Sequence, residues 1–197
     1  MEKWLITDKV HPSAKSQLEA MGFEVDWLPD ISNKDVHQIV QEYFGLIIST
    51  KTRIDKALID KASKLKIVGR VGVGMDHVDQ VYCSEKGITC FNSPGGNANA
   101  VAEHVMGMIL GFSKNIFKAN TEIRNKEWVR FGNTGFELKD RTVGIIGFGN
   151  TGSRLAKKLS GFECEILAYD KYKTNYGNNY VKASSVQEII EKAEIIS

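Results

Sequence analysis

The stretch VGIIGFGNTG, residues 143–152, places three glycines directly after an apolar run. Gly147, Gly149 and Gly152 have the spacing G-x-G-x-x-G, and helical periodicity follows them. In a strand–turn–helix, the first glycine permits a tight turn and the second lets a diphosphate approach the backbone. The third lets helix and strand pack closely. The pattern therefore predicts a dinucleotide-binding turn.

The amides that would hold an anion lie at the start of the predicted helix. Backbone N–H groups around Asn150 and Thr151 have no partner within the first helical turn, and the helix dipole adds positive charge there. We expect the whole turn to contact the cofactor, through Gly147, Phe148, Gly149, Asn150, Thr151 and Gly152. A strand–turn–helix without a ligand is the alternative for the glycines alone.

A carboxylate occurs where a nucleotide site of this kind requires one. Asp170 ends the next apolar run, EILAYD, about 20 residues after the glycines, as in the dinucleotide-binding fingerprint. A carboxylate there accepts hydrogen bonds from a ribose diol and repels a 2′-phosphate. Asp170 therefore favours NAD over NADP, although Lys171 and Lys173 directly after it weaken that preference.

Apolar runs alternate with amphipathic stretches through the first half of the chain. Five runs are predicted strands: WLIT (4–7), FEVDWL (23–28), GLIIST (45–50), KIVGRV (66–71) and ITCFNS (88–93). The stretches between them are predicted helices, one of them capped by Ser32. Strict alternation implies right-handed crossovers and a parallel sheet covered on both faces. Residues 1–97 are therefore predicted to form a flavodoxin-like, doubly wound α/β domain.

A different pattern begins at residue 98. An apolar-rich helix is predicted from Ala98 to about Lys118. Since it contains Glu103 and His104, we expect a buried soluble helix rather than a membrane span. A second alternating series then runs through four predicted strands, at 142–147, 165–170, 180–183 and 193–197. Residues 98–197 are predicted to form a Rossmann domain that is incomplete at its C-terminal end.

Composition gives no reason to expect nucleic acid or a membrane as a partner. The formal net charge is +2, and the lysines and arginines are scattered among acids. Three cysteines are too few and too scattered for a disulfide framework or a metal site. The N-terminus lacks the apolar region of a signal peptide. We expect a cytoplasmic protein without a bound metal.

Four stretches together resemble the D-2-hydroxyacid dehydrogenase family, in particular its D-3-phosphoglycerate dehydrogenase branch. In that family's order, they are GRVGVGMDHVD (69–79), FNSPGGNANAVAEH (91–104), the Trp128 region, and RTVGIIGFGNTG with its Asp170. The resemblance covers essentially all 197 residues. It implies a substrate domain followed by an NAD domain, with a homodimer interface in the region 98–140. The implied activity is oxidation of a D-2-hydroxy acid, above all phosphoglycerate at the entry to serine synthesis.

The resemblance also implies contacts with a small anionic 2-hydroxy or 2-oxo acid. The amides of Val73 and Gly74 are expected to hold its carboxylate, with a plain strand-end turn as the alternative. Lys51 lies where phosphoglycerate-using relatives place a basic residue for the substrate phosphate, and a solvated lysine is the alternative. Asn97 would contact substrate or cofactor, unless it is a hinge or helix cap.

The chain departs from the family in its catalytic residues. The family's arginine, glutamate and histidine come after a strand like AEIIS, and this sequence stops at Ser197. The imidazole moves the hydroxyl proton while hydride passes between C2 and nicotinamide. Among four histidines only His77, near Asp76 and Asp79, lies close to the proposed substrate loop, and a surface or capping role is favoured for it. We therefore expect no catalytic residue here and an inactive isolated chain.

Two other functions remain open. Related corepressor proteins keep this fold and NAD site as a ligand-gated dimer for protein recognition, so a non-catalytic NAD-binding module is one alternative. Oxidation of formate or phosphite is another, disfavoured by Lys51. A reading frame that continues into an NTxRG-like stretch and a later histidine motif would favour the dehydrogenase.

Overall fold

Nine short strands in the computed structural model form two parallel sheets, one of five strands and one of four. The structure describes all residues, 1–197. Contacts divide the chain into two units, Met1–Gly96 and Asn97–Ser197, with one sheet in each. The two units are described separately below.

The first sheet has the strand order β2-β1-β3-β4-β5, with every pair parallel. Its strands are β1 (Lys3–Ile6), β2 (Glu24–Trp27), β3 (Gly45–Ile48), β4 (Ile67–Arg70) and β5 (Thr89–Asn92). This is the flavodoxin-like order, so the predicted fold class is confirmed. Each strand ends one or two residues before its predicted end, because the backbone turns there into the loops at the carboxyl edge of the sheet.

Helices connect these strands on both faces of the sheet. They are α1 (Ser13–Ala20), α2 (Asn33–Ile39), α3 (Lys56–Ile59) and α4 (Gln80–Glu85). Ser32 accepts a hydrogen bond from the amide of Asp35, as predicted for the cap of α2. Leu5 belongs to one apolar cluster while Trp4 and Ile6 belong to another. Since adjacent strand residues point to opposite faces, the sheet is buried on both sides.

The second sheet has the order β8-β7-β6-β9, again with every pair parallel. The elements of this unit are α5 (Ala98–Ser113), α6 (Ile116–Arg124), β6 (Thr142–Ile146), α7 (Asn150–Leu159), β7 (Glu165–Tyr169), β8 (Lys182–Ala183), α8 (Val186–Lys192) and β9 (Ile195–Ile196). In order of appearance these strands lie 3-2-1-4, which corresponds to four positions of the six-stranded Rossmann order 3-2-1-4-5-6. The Rossmann class is confirmed.

The single helix predicted from Ala98 to about Lys118 is wrong in its C-terminal part. Helix α5 ends at Ser113 and α6 begins at Ile116. Between them Asn115 has φ 53°, in the left-handed region, which ends a right-handed helix. The apolar pattern continues across this break, so periodicity alone does not reveal it.

Helix α5 is buried on one face only, whereas the sequence predicted a buried helix. Ala102, Met106 and Ile109 belong to the core of the second unit and face α7. Glu103 and His104 lie on the exposed side. None of the helices is both long enough and apolar enough to span a bilayer.

Candidate functional site

The turn between β6 and α7 requires two of its three glycines for structural reasons. Gly147 has φ 104°, a conformation that side chains rarely adopt. Its amide donates to the carbonyl of Tyr169 at 2.7 Å, which ties the turn to the end of β7. A Cβ atom on Gly152 would overlap the carbonyl oxygen of Gly147. The tight turn and the close helix–strand packing therefore have the causes that the sequence predicted.

The middle glycine has no such structural reason. Gly149 has φ −79°, which any residue can adopt. A Cβ atom there would meet no heavy atom within 4 Å. Neither backbone strain nor packing therefore excludes a side chain, and the position opens onto free space at the start of α7. This is the space that a ligand lying against the backbone needs.

The N-terminus of α7 is available to an anion. Gly149 occupies the cap position, and no side chain accepts a hydrogen bond from the first amides of the helix. Asn150 is exposed and Thr151 is partly exposed. Uncapped amides with a helix dipole behind them form a ready anion-binding site. Both residues therefore lie where the sequence placed them.

Phe148 is the exception among the predicted contacts at this turn. Its side chain is 6% exposed and stacks on Tyr176, with ring centroids 5.0 Å apart. Its amide donates to the Asp170 carboxylate at 2.8 Å. Ring and amide are both occupied within the protein, so the structure gives Phe148 a structural role in place of a direct contact.

Asp170 follows β7 and is fixed by three backbone amides. Oδ2 accepts from Phe148, and Oδ1 accepts from Tyr172 and Lys173, both at 2.9 Å. The bond from the Tyr172 amide, those from the Lys173 and Phe148 amides, and the nearby Lys173 ammonium hold the pKa of Asp170 below its usual 3.8. Asp170 is therefore an ionised acceptor beside the glycine turn, and its oxygens keep lone pairs for a further donor.

Two residues near Asp170 were missed as functional candidates in the sequence. The Tyr176 hydroxyl accepts from the amide of Asp170 at 2.9 Å and donates to the carbonyl of Ala168 at 3.0 Å. The Lys173 ammonium donates to the carbonyl of Phe148 at 3.0 Å. The only signal of Tyr176 in the sequence is an aromatic residue within a polar loop, and no spacing rule identifies it.

In the first unit, the loop after β4 presents free amides. Gly72 has φ 143°, and its carbonyl accepts from the Ser93 amide at 2.9 Å. The Asn92 side chain donates to the carbonyl of Val73. The amides of Val73 and Gly74 donate to no protein acceptor, and both residues are exposed. The loop is thus anchored through its carbonyls while its amides face outward.

Arg70, the last residue of β4, was also missed. Its guanidinium lies against Gly72, where a Cβ atom would overlap it. Its Nε is buried and has no hydrogen-bond partner. Because an unsatisfied buried donor is costly, an anion bound at this loop would supply the missing acceptor. The sequence signal is the arginine of GRVGVG, two residues before the first glycine of the loop.

The other predicted substrate contacts are less well placed. The ammonium of Lys51 donates to the carbonyl of Pro29, and its side chain is exposed. Lys51 follows β3, the neighbour of β4, but it is paired with Pro29 rather than with the loop. Asn97 is exposed and occupies the cap position of α5, where its side chain caps no amide. The helix-cap alternative for Asn97 is therefore not realised.

His77 has neither the surface nor the capping role expected of it. It is partly buried, and its Nε2 is buried without a partner. Its carbonyl accepts from the Ile54 amide at 2.8 Å. The cap of α4 is Asp79, which accepts from the Tyr82 amide. No three His, Cys, Asp or Glu side chains in the chain lie together as a metal site.

A protein-family model covers nearly the whole chain. It is described as D-isomer specific 2-hydroxyacid dehydrogenase, catalytic domain, and it matches residues 4–194. The D-3-phosphoglycerate dehydrogenase of Methanocaldococcus jannaschii is 35% identical over 172 residues, 87% of this chain and 33% of the relative. That of Archaeoglobus fulgidus is 32% identical over 170 residues, 86% and 32%. The chain thus spans about a third of the length of these relatives.

Solved structures share the fold. The NAD-dependent formate dehydrogenase of Staphylococcus aureus, in complex with NAD, has a TM-score of 0.83 and 26% identity, over 100% of this chain and 64% of that one. The D-lactate dehydrogenase of Aquifex aeolicus, complexed with NAD and lactic acid, has a TM-score of 0.82 and 21% identity, over 99% and 59%. At that identity the second likeness concerns the fold alone.

Proposed function

The chain belongs to the D-isomer specific 2-hydroxyacid dehydrogenase family, and we propose that it is the part of such an enzyme that binds NAD and the substrate carboxylate. The proposed activity of the whole enzyme is NAD-dependent oxidation of a D-2-hydroxy acid, with 3-phosphoglycerate, the entry to serine synthesis, as first candidate substrate. Relatives named D-3-phosphoglycerate dehydrogenase support that choice. In this proposal residues 1–97 form the substrate domain and residues 98–197 the NAD domain.

One observation carries the cofactor assignment: the open position at Gly149 and the ionised Asp170 adjoin the same turn. The amides of Gly149, Asn150 and Thr151 hold the diphosphate. Asp170 accepts hydrogen bonds from the adenosine ribose and repels a 2′-phosphate, so the site selects NAD. When bound, the cofactor supplies the hydride acceptor. Gly147 and Gly152 shape the turn without contacting the cofactor through side chains.

The substrate carboxylate is proposed to bind the free amides of Val73 and Gly74. Arg70 supplies the positive charge, since its guanidinium adjoins that loop and its buried Nε lacks an acceptor. Lys51 is the weaker candidate because its ammonium is paired with Pro29. Asn97 is retained as a contact to substrate or cofactor.

Proton transfer is proposed to require residues outside these 197. His11 bonds Ser13 and is exposed, His104 is exposed on α5, and the His77 ring nitrogen is enclosed without a partner. None therefore offers a base beside the free amides of the substrate loop. The isolated chain is expected to bind ligands without turning over substrate.

A second copy of the chain is proposed to cover the apolar surface of the 98–140 region. Large apolar side chains are exposed there on α5, on α6 and in the loop that follows: Met108, Phe112, Ile116, Phe117, Ile123, Trp128 and Phe131. Exposed apolar patches of this size mark interaction sites. The three cysteines are free thiols, which suits the reducing cytoplasm proposed as the location.

Two measurements test the proposal. Calorimetric titration of the 197-residue chain should give binding of NAD and much weaker binding of NADP. A chain that binds neither nucleotide would overturn the cofactor assignment. NADH fluorescence with a panel of D-2-hydroxy acids, on a longer product of the same gene, should show oxidation. Binding without oxidation of any acid would instead support the non-catalytic, dimeric NAD-binding module.

A further inference from the structure

The turn after β7 is joined to the glycine turn by three contacts. The amide of Phe148 donates to the Asp170 carboxylate, and the Lys173 ammonium donates to the carbonyl of Phe148. The rings of Phe148 and Tyr176 stack with an interplanar angle of 28°. Each turn carries one half of the proposed nucleotide site. Their relative position therefore decides whether the amides and the carboxylate can act on one ligand.

Tyr176 contributes to this junction with both its ring and its hydroxyl. The hydroxyl is the only protein acceptor for the amide of Asp170. It also donates to the carbonyl of Ala168, which accepts from the Ser184 amide as well. The hydroxyl thus bridges the last strand residues and the start of the turn. Losing it would leave the partly buried Asp170 amide without a protein partner.

We propose that Tyr176 is a positioning residue for the adenosine end of the cofactor, and this inference rests on the proposed NAD binding. Its hydroxyl fixes the backbone of Asp170, and its ring fixes Phe148, whose amide holds the carboxylate. Tyr176 acts through Asp170 and does not touch the ligand. A binding group must be held within about 0.5 Å of its productive position by residues that are themselves fixed, and Tyr176 meets that need here.

A positioning role differs from a merely structural one in which ligands it affects. Inorganic pyrophosphate needs only the amides of α7, whereas NAD also needs Asp170. Disturbing Asp170 should therefore weaken NAD and spare pyrophosphate. It should also reduce the preference for ADP over 2′-deoxy-ADP, since that preference reports the hydrogen bond to the ribose 2′-hydroxyl.

The test compares the unaltered chain with Tyr176→Phe, which keeps the ring and removes the hydroxyl. Calorimetry is expected to give an NAD Kd raised about 3- to 10-fold, as the loss of one to two hydrogen bonds implies. The pyrophosphate Kd should be unchanged and the ADP preference reduced. Tyr180→Phe is the matched control, because Tyr180 lies in the same loop, is 40% exposed and makes no side-chain hydrogen bond.

Each result separates the inference from the proposed function. If Tyr176→Phe binds NAD as tightly as the unaltered chain, the inference is overturned and NAD binding stands. Equal weakening of NAD and pyrophosphate also overturns it, since Tyr176 would then be structural only. If the unaltered chain binds pyrophosphate but not NAD, the proposed function fails and the inference with it.

A second measurement serves if Tyr176→Phe does not fold. Hydrogen exchange on the unaltered chain should show the Asp170 amide protected without ligand and further protected by NAD. Exchange of that amide at the rate of an unfolded peptide would overturn the inference.

Discussion

The amide of Phe148 and the carboxylate of Asp170 lie 2.8 Å apart and join the two turns of the candidate nucleotide site. These turns follow neighbouring parallel strands, in which Ile146 of β6 pairs with Tyr169 of β7. The carboxyl ends of parallel strands meet at one edge of the sheet, where open α/β folds bind ligands. The bond is formed without any ligand, so the carboxylate is already oriented when a nucleotide arrives.

Gly149→Ala is expected to weaken NAD binding while the chain remains folded. The new Cβ meets no protein atom, and the poorer helix cap costs about 1 kcal/mol. In the proposed complex the Cβ overlaps the diphosphate, which costs about 1–3 kcal/mol, or about five- to a hundredfold in Kd. Thermal unfolding and calorimetry measure the two effects.

Gly152→Ala is the matched control for that change. Its Cβ overlaps the carbonyl oxygen of Gly147, so the variant is expected to lose the fold itself. A Gly149→Ala variant that binds NAD normally would contradict the cradle assigned to this glycine.

Asp170→Ala is expected to weaken NAD binding and to relax discrimination against NADP. The substitution removes both the acceptor for the ribose diol and the charge that repels a 2′-phosphate. Asp170→Asn keeps the size and one oxygen, so it should retain more NAD affinity while also admitting NADP. The NAD-to-NADP ratio of Kd values is the measurement. A ratio unchanged in both variants would count against the ribose assignment.

The lowered pKa of Asp170 gives this site an expected pH profile. Because the folded pKa lies below the usual 3.8, the stabilisation that it reports is fully present above the unfolded value. It is lost as pH falls through the folded pKa. NAD affinity should therefore be constant between about pH 5 and pH 8, where an ordinary aspartate is also ionised. A fall in affinity with a midpoint near neutrality would assign the ribose contact to another group.

Arg70→Met is expected to raise the KM of a D-2-hydroxy acid in the longer gene product. Losing a charged hydrogen bond costs about 1.5–3 kcal/mol, or about 10- to 100-fold. Folding should be unaffected or improved, because a buried donor without a partner is removed. Lys51→Met is the matched control and should leave KM nearly unchanged. The reverse ranking would restore Lys51 as the phosphate-binding residue.

Phe112→Glu is expected to convert the proposed dimer into a monomer. Phe112 is 78% exposed on α5, within the apolar surface assigned to the partner, and a charge there would be buried without a counter-ion. Analytical ultracentrifugation measures the change. Val81→Glu, at a position 72% exposed on α4, is the control and should remain dimeric. An unaltered chain that is a monodisperse monomer would refute the proposed interface.

Local patterns in the sequence were sufficient for the fold and for half of the nucleotide site. Alternating apolar and amphipathic runs predicted both sheets, because burial on two faces demands apolar strands. Gly147 and Gly152 were identified correctly, since a turn and a close helix–strand contact involve neighbouring residues. The capping of α2 by Ser32 is equally local.

Contacts between distant segments were decided only by the tertiary structure. The sequence assigned the Phe148 amide to an anion, but Asp170 accepts it. It singled out Lys51, yet Arg70 adjoins the free amides. Periodicity reports which face of an element is apolar. It does not report which donor meets which acceptor once two turns lie side by side, and Tyr176 is known only from that meeting.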